Sequence, residues 1–126
     1  MARKQNNQPT QRELSILRVL WDIGPSTVRQ VNDSLNQTEK VGYTTTLKIM
    51  QIMTDKGLVV RDDSRFKHIY RPAVSEENTQ NLLVADLLDK VFSGSAEKLV
   101  LRALSAGKIS PKELEKIRKL IDEMDK

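Results

Sequence analysis

Apolar residues in the front half of the chain recur every three or four positions, which is the spacing of amphipathic helices. The first such stretch follows a T-x-x-E capping pattern that begins at Thr10, and it stops at Gly24-Pro25. Thr27 repeats the capping pattern, with glutamine in the fourth place, ahead of a shorter stretch. A third stretch stops at Gly57, so three consecutive helices are predicted.

The pattern then changes to two short β-rich runs, LVVRD and KHIYR, on either side of DSRF. This is hairpin spacing, and Pro72 closes the second run. Ser75, Ser95 and Ser110 each open a further amphipathic stretch, the last with a capping box and with Pro111 at the first helical position. Six helices and one hairpin are therefore predicted.

Three helices followed by a hairpin are typical of the winged helix-turn-helix arrangement, whose third helix enters the major groove of DNA. The expected fold class is mainly α, and it has two parts. A winged helix-turn-helix domain, three helices plus a β-hairpin wing, is expected at residues 1–73, and a small all-α dimerisation domain at residues 74–126.

The third helix, which begins near Tyr43 or Thr44, separates an inner stripe from an outer one. The inner stripe, expected to be buried, comprises Thr46, Ile49, Met50 and Met53. On the outer side, threonine methyls can touch thymine methyls, Lys48 can reach a phosphate or a guanine edge, and Gln51 can pair with adenine. The alternative for Thr44 or Thr45 is that the hydroxyl only caps the helix.

The net positive charge is confined to the front half. Residues 1–72 carry 12 Lys and Arg against 7 Asp and Glu, whereas residues 73–126 carry 9 against 10. This division is expected if the front half meets a polyanion, although an ordinary charged surface would also account for it. Arg65, at the hairpin tip, is either a phosphate contact or a solvated turn residue. The candidate DNA-contacting residues are Thr27, Tyr43, Thr44, Thr45, Lys48, Gln51, Arg65 and Lys67.

The rear half holds three short amphipathic helices that cannot enclose their own apolar faces well. Pairing with a second copy of the chain would cover these faces, and folding back on the winged domain of the same chain is the alternative. Two recognition helices joined in this way would read a palindrome. The candidate dimerisation residues are Leu87, Leu88, Val91, Leu99, Val100, Leu104, Leu114, Ile117, Leu120 and Ile121.

Composition excludes several classes of protein. There are no cysteines and one histidine, His68, so thiolate chemistry and side-chain zinc or copper sites are not expected, and no cofactor is expected either. The acid pair Asp62-Asp63 has no nucleophile or phosphate-binding loop near it in sequence, which argues against an enzyme. The apolar runs are too short to cross a membrane, and the beginning of the chain lacks a signal peptide, so we expect a cytoplasmic protein.

The motifs LWDIGPSTVRQVNDSL, GYTTTLKIMQIMTDKGLVVRD and HIYRP, followed by VFSGSAEKLVLRAL and ISPKELEKIRKLI, occur in one order along nearly the whole chain. Together they resemble the BlaI/MecI penicillinase-repressor family of bacterial transcription regulators. The resemblance implies a winged-helix domain, a helical dimerisation domain and repression at a palindromic operator. It also implies that Thr44, Thr45 and Lys48 face DNA, and that a regulatory protease is a further partner.

Three departures from the family pattern bear on these expectations. Ile52 stands where the family often has an arginine, so the operator preference is expected to differ. The absence of cysteine excludes the copper sensing of one branch of the family. The helix that the family's protease cleaves corresponds to KLVLRALSAG, which holds no Asn-Phe pair. The other hypotheses are a winged helix that binds a protein, and a repressor that responds to a small molecule.

Overall fold

The computed structural model describes residues 8–126, and in this range the chain forms six helices and one β-hairpin, as predicted. The elements are α1 (Gln11–Ile23), α2 (Val28–Leu35), α3 (Tyr43–Lys56), β1 (Val59–Asp62), β2 (Ile69–Pro72), α4 (Glu76–Val91), α5 (Ala96–Ala106) and α6 (Pro111–Met124). Arg3 and Lys4, which contribute to the basic excess of the front half, lie outside the described residues.

The chain divides into two compact units, of which the first ends at Leu83 and the second is Val84–Lys126. The division falls inside α4, so the first half of this helix belongs to the winged unit. The boundary at residue 73 was predicted between a DNA-binding domain and a dimerisation domain. This functional division stays a prediction.

The helix ends in the first unit follow the local signals in the sequence. Thr10 and Glu13 form a complete capping box at the start of α1, and Thr27 and Gln30 form another at the start of α2. Gly57 ends α3 with φ at 80°, a left-handed conformation that glycine adopts without steric cost. These predicted boundaries are confirmed.

The core of the first unit is formed by the inner faces of α1, α2 and α3 and by the base of the hairpin. Its buried apolar residues are Ile16, Leu17, Leu20, Val28, Val31, Leu35, Val41, Met50, Met53, Leu58, Val59 and Tyr70. Trp21 is half-buried beside this core, and its Nε1 donates to the Val74 carbonyl at 3.0 Å. The core therefore encloses residues from the first helix through to the second strand.

The hairpin is antiparallel, with Val59 opposite Pro72 and Asp62 opposite Ile69. A third segment joins it, because the Ser26 amide donates to the Tyr70 carbonyl at 2.9 Å and the Tyr70 amide donates back to Ser26 at 2.8 Å. This bridge, which the sequence did not predict, fastens the wing to the connection between α1 and α2.

In the second unit, Ser93 and Gly94 both adopt positive φ and separate α4 from α5. Ser95 caps α5 through the Lys98 amide, and Ser110 caps α6 through the Glu113 amide. Neither α5 nor α6 contains a buried residue. Both helices are thus well defined locally, while their apolar faces remain accessible.

Candidate nucleic-acid interface

One face of α3 is held against the first unit by buried side chains. Thr46, Met50 and Met53 are fully buried, as predicted, and Ile49 packs against the core. The buried amide of Asn32, on α2, donates to Thr46 Oγ1 at 2.8 Å. A buried hydroxyl needs such a partner, so this bond helps to hold α3 against α2.

Two asparagines also order the turn between α2 and α3. Asn32 Nδ2 donates to the Val41 carbonyl at 3.1 Å, and Asn36 Nδ2 donates to the same carbonyl at 2.8 Å. The Val41 amide in turn donates to Asn36 Oδ1 at 3.3 Å. From the sequence, this stretch was interpreted only as the polar end of α2. In the structure, its hydrogen bonds help to fix the direction in which α3 starts.

The opposite end of α3 is attached to α1 by an ion pair. Lys56 Nζ lies 2.7 Å from Glu13 Oε1, and the same carboxylate oxygen accepts from the Thr10 amide at 2.9 Å. Glu13 is buried, so both its partners are needed to offset its desolvation. Because α3 is held at both ends, its outer face is presented in one orientation.

The outer face of α3 consists of exposed polar side chains at Thr44, Thr45, Lys48 and Gln51. The N-cap is Gly42, and no side chain caps the helix. The interpretation of Thr44 or Thr45 as the capping residue is therefore wrong: both lie inside the first turn, after the helix has begun. The amides of this turn lack intrahelical acceptors and are open to an anion.

The side chain of Ile52 is 43% exposed, although it is apolar. It follows Thr45 by seven residues and Lys48 by four, which places the three side chains on one side of the helix. The position at which the sequence departs from the family pattern thus lies on the outer face of α3.

A cleft of about 390 Å³ brings together the starts of α2 and α3 and the part of the wing that leads into β2. Its lining residues are Thr27, Val28, Arg29, Tyr43, Leu47, Lys67, His68 and Tyr70. Thr27, Tyr43 and Lys67 were all predicted to contact DNA, and they come from three separate elements. The structure therefore gathers these three candidates in one place.

Arg29 belongs to the same cleft and was missed by sequence reasoning. Its guanidinium carbon lies 4.7 Å from the centre of the Tyr43 ring, a cation–π distance. The available signal was its position two residues after the Thr27 cap, on the exposed side of α2. Stacking on Tyr43 leaves the guanidinium edge free to bind an anion.

Arg65 lies elsewhere on the wing. It lines a separate cleft with Pro25, Asp62, Ile69 and Arg71, rather than the cleft that contains Lys67. The wing therefore presents cations to two clefts.

The two acids of the wing turn have local partners. Asp62 Oδ1 accepts from the Ser64 hydroxyl at 2.6 Å and from the Ser64 amide at 2.9 Å, and these bonds lower the pKa of Asp62. Asp63 lies 2.7 Å from Arg61 Nε and raises the pKa of that guanidinium. The pair Asp62-Asp63 is thus occupied in shaping the turn.

The candidate dimerisation residues lie along the helices of the second unit with differing exposure. Val91, Leu120 and Ile121 are each more than half exposed, at 63%, 58% and 54%. The other exposed members are Leu87, Val100 and Leu114, and the half-buried ones are Leu88, Leu99, Leu104 and Ile117.

No helix in residues 8–126 is long and apolar enough to cross a membrane. Over the same range, no group of three or more His, Cys, Asp and Glu side chains is placed to hold a metal ion.

Comparison with known proteins agrees with the winged architecture. The family model described as "Penicillinase repressor" matches residues 9–123. Two proteins named "Transcriptional regulator BlaI", from Mycobacterium tuberculosis strains CDC 1551 / Oshkosh and ATCC 25618 / H37Rv, are each 28% identical to this chain over 117 residues. The alignment covers 90% of this chain and 82% of each relative. The resemblance noted in the sequence is confirmed.

Proposed function

The chain belongs to the penicillinase repressor family and is a DNA-binding transcriptional repressor, and from this we propose that it binds a palindromic operator as a homodimer. Each copy would place α3 in the major groove and its wing beside the neighbouring phosphates. The observation that carries the proposal is the cleft in which Thr27, Arg29, Tyr43 and Lys67 adjoin the uncapped start of α3.

The cleft suits a phosphodiester strand. Lys67 and Arg29 supply positive charge, and the free amides at the start of α3 supply hydrogen-bond donors. Such contacts position the helix without reading sequence. With the backbone held there, Thr45 and Gln51 reach base edges from the outer face of α3 and supply the sequence preference, and Lys48 contacts either a phosphate or a guanine edge.

Dimerisation is supported by the exposed apolar residues of the second unit. Leu120 and Ile121 are both more than half exposed on α6, and Val100 and Leu101 are similarly exposed on α5. Large apolar side chains left exposed on two consecutive helices favour an association site. A second copy offers the same surface in return, and a two-fold dimer matches the symmetry of a palindrome.

Repression then follows from occupancy of the promoter, since two linked recognition helices bind more tightly than one. Any event that weakens association of the second unit would lower occupancy. Cleavage between Leu99 and Leu104, in α5, by a regulatory protease is one such event. It would remove the part of the interface that carries Leu104 and everything after it.

The test is selection of short duplexes from a random library by the full-length protein, followed by titration of the winning duplex at several salt concentrations. We expect a palindrome bound by two chains. Lys48→Ala should weaken binding and reduce the slope of log affinity against log salt by about 1 if Lys48 contacts phosphate. Lys116→Ala, an exposed lysine of α6, is the matched control and should leave the slope unchanged.

Dimerisation is tested with Leu120→Asp combined with Ile121→Asp, measured by analytical ultracentrifugation and by binding to the same duplex. The double variant should be monomeric and should bind the palindrome much more weakly than the parent. Lys119→Asp, at a polar position of the same helix, should do neither. A monomer that binds as tightly as the parent would contradict the dimer mechanism, and absence of any enriched duplex would redirect the search to a protein partner.

A further inference from the structure

Phe66 stands at the tip of the wing with its side chain fully exposed, at 100%. Among the large apolar side chains in residues 8–126, none is more exposed. A single exposed apolar residue is ordinary, so exposure alone indicates nothing. The charged residues next to Phe66 and its position on the wing indicate a functional role for the exposed ring.

The wing tip is a projecting loop whose acids already have partners. Strand pairing ends where Asp62 faces Ile69, so residues 63–68 extend beyond the sheet. Asp63 pairs with Arg61, and Asp62 accepts hydrogen bonds from Ser64 while lying close enough to Arg65 to interact with its charge. In sequence, Phe66 stands between two cationic residues, Arg65 and Lys67.

The tip also adjoins the surface proposed to hold DNA. Lys67, the next residue after Phe66, lines the cleft with Thr27 and Tyr43 at the start of α3. Arg65, the residue before it, lines the separate cleft with Arg71. The ring thus belongs to a loop whose two flanking cations line separate clefts.

We propose that Phe66 enters the minor groove of the duplex beside the segment bound by α3. Its ring would pack on the sugars and against one base step, while Arg65 and Lys67 contact the phosphates on the two sides of the groove. Apolar wedges flanked by cations are a known means of gripping this groove. The minor groove is favoured over a protein surface because its walls combine apolar sugars with a high density of negative charge. This inference rests on the proposed operator binding.

The test uses two versions of the duplex selected by the full-length parent, in which the base pairs flanking the α3 contacts are set to G·C in one and to inosine·C in the other. This change removes the guanine amino group from the minor groove and leaves the major-groove edge intact in hydrogen-bonding pattern. The parent should bind the inosine duplex about fivefold more tightly, since the amino group obstructs the ring. On the inosine duplex, Phe66→Ala should bind about tenfold more weakly than the parent. It should bind the G·C and the inosine duplexes with the same affinity. Ile23→Ala, an exposed apolar control at the end of α1, should behave as the parent.

Unstacking is measured separately with 2-aminopurine placed at successive flanking positions. Binding of the parent should raise the fluorescence of 2-aminopurine at one base step, and binding of Phe66→Ala should not. The inference is overturned if Phe66→Ala keeps parental affinity, if it keeps the preference for inosine, or if its effect is on self-association of the free protein. If Lys48→Ala weakens binding while Phe66→Ala does not, operator binding stands and only this inference fails. If the parent enriches no duplex, both fail.

Discussion

The two units of this chain have similar helix-capping signals, but they differ in how much of their apolar surface is buried. In both, serine or threonine caps define where helices start. The first unit buries its apolar stripes in a shared core that includes Leu17 and Met50, whereas α5 and α6 of the second contain no buried residue. Helix formation is thus a local property, but burial requires a surface to pack against.

This difference predicts different sources of stability. The first unit encloses its own core and holds α3 by internal hydrogen bonds and an ion pair. The second unit would gain most of its stability from association, so its stability should depend on protein concentration. Four measurements test the contrast, beginning with the largest expected effect.

Leu17→Ala and Leu101→Ala make the same chemical change at a buried and at a half-exposed leucine. Leu17→Ala should lower the free energy of unfolding of the first unit by about 3 kcal/mol, because it leaves a cavity. Leu101→Ala should change the same quantity by less than about 0.5 kcal/mol. The measurement is chemical denaturation followed by the fluorescence of Trp21, the single tryptophan, which lies in the first unit. Equal effects of the two variants would abolish the contrast.

Asn32→Ala tests the polar network that orders the α2–α3 turn. It leaves the buried Thr46 hydroxyl without its donor and weakens the hold on the Val41 carbonyl. We expect a loss of about 2 kcal/mol by the same fluorescence measurement. Operator affinity should fall as well, because α3 loses its fixed direction. Asn81→Ala, at an exposed asparagine of α4, is the control. Unchanged stability in Asn32→Ala would show that the network is dispensable.

Glu13→Gln and Glu115→Gln compare a buried with an exposed ion pair. Lys56 lies 2.7 Å from Glu13, whereas Arg118 lies 3.9 Å from Glu115 with both side chains more than half exposed, at 70% and 58%. Glu13→Gln should cost about 1 kcal/mol, since the amide oxygen can still accept from the Thr10 amide but the charge is lost. Glu115→Gln should cost less than about 0.5 kcal/mol. Denaturation followed by circular dichroism measures both, and a larger cost for Glu115→Gln would refute the comparison.

The smallest effect concerns the wing turn. Hydrogen bonds from Ser64 to Asp62 favour the ionised carboxylate, so the pKa of Asp62 is lower in the folded chain than its ordinary value. Their contribution is present above the unfolded pKa and is lost as the pH falls through the lower folded pKa. In an NMR titration, Ser64→Ala should raise the pKa of Asp62 toward its ordinary value. Ser105→Ala, which removes a hydroxyl from α5, should leave it where it is, and a response to both would argue against the local cause.

Much of the fold could be predicted because its signals are local. Capping patterns at Thr10 and Thr27, and the glycines at 24 and 57, placed the helix ends of the first unit. The cap of α3 was the exception, because the choice between Gly42 and the threonines depends on the path of the preceding turn. Backbone direction at that turn is set by Asn32 and Asn36, whose targets no spacing rule reveals.

The sequence also predicted which side chains of α3 face outward, since helical geometry alone separates Lys48 and Gln51 from Met50. It could not show that Arg29 stacks on Tyr43 or that Lys67 shares their cleft, because these residues come from separate elements. The placement of Arg65 in a different cleft was equally hidden.

By itself, then, the sequence determined the order of the helices and strands, their caps, the inner and outer faces of α3 and the basic character of the front half. Tertiary structure alone decided the Ser26–Tyr70 bridge, the Asn32–Thr46 bond and the gathering of Thr27, Arg29, Tyr43 and Lys67. The physical reason is range. Periodicity and capping act over a few residues, whereas these contacts join residues far apart in the chain, and they form only once the core has packed.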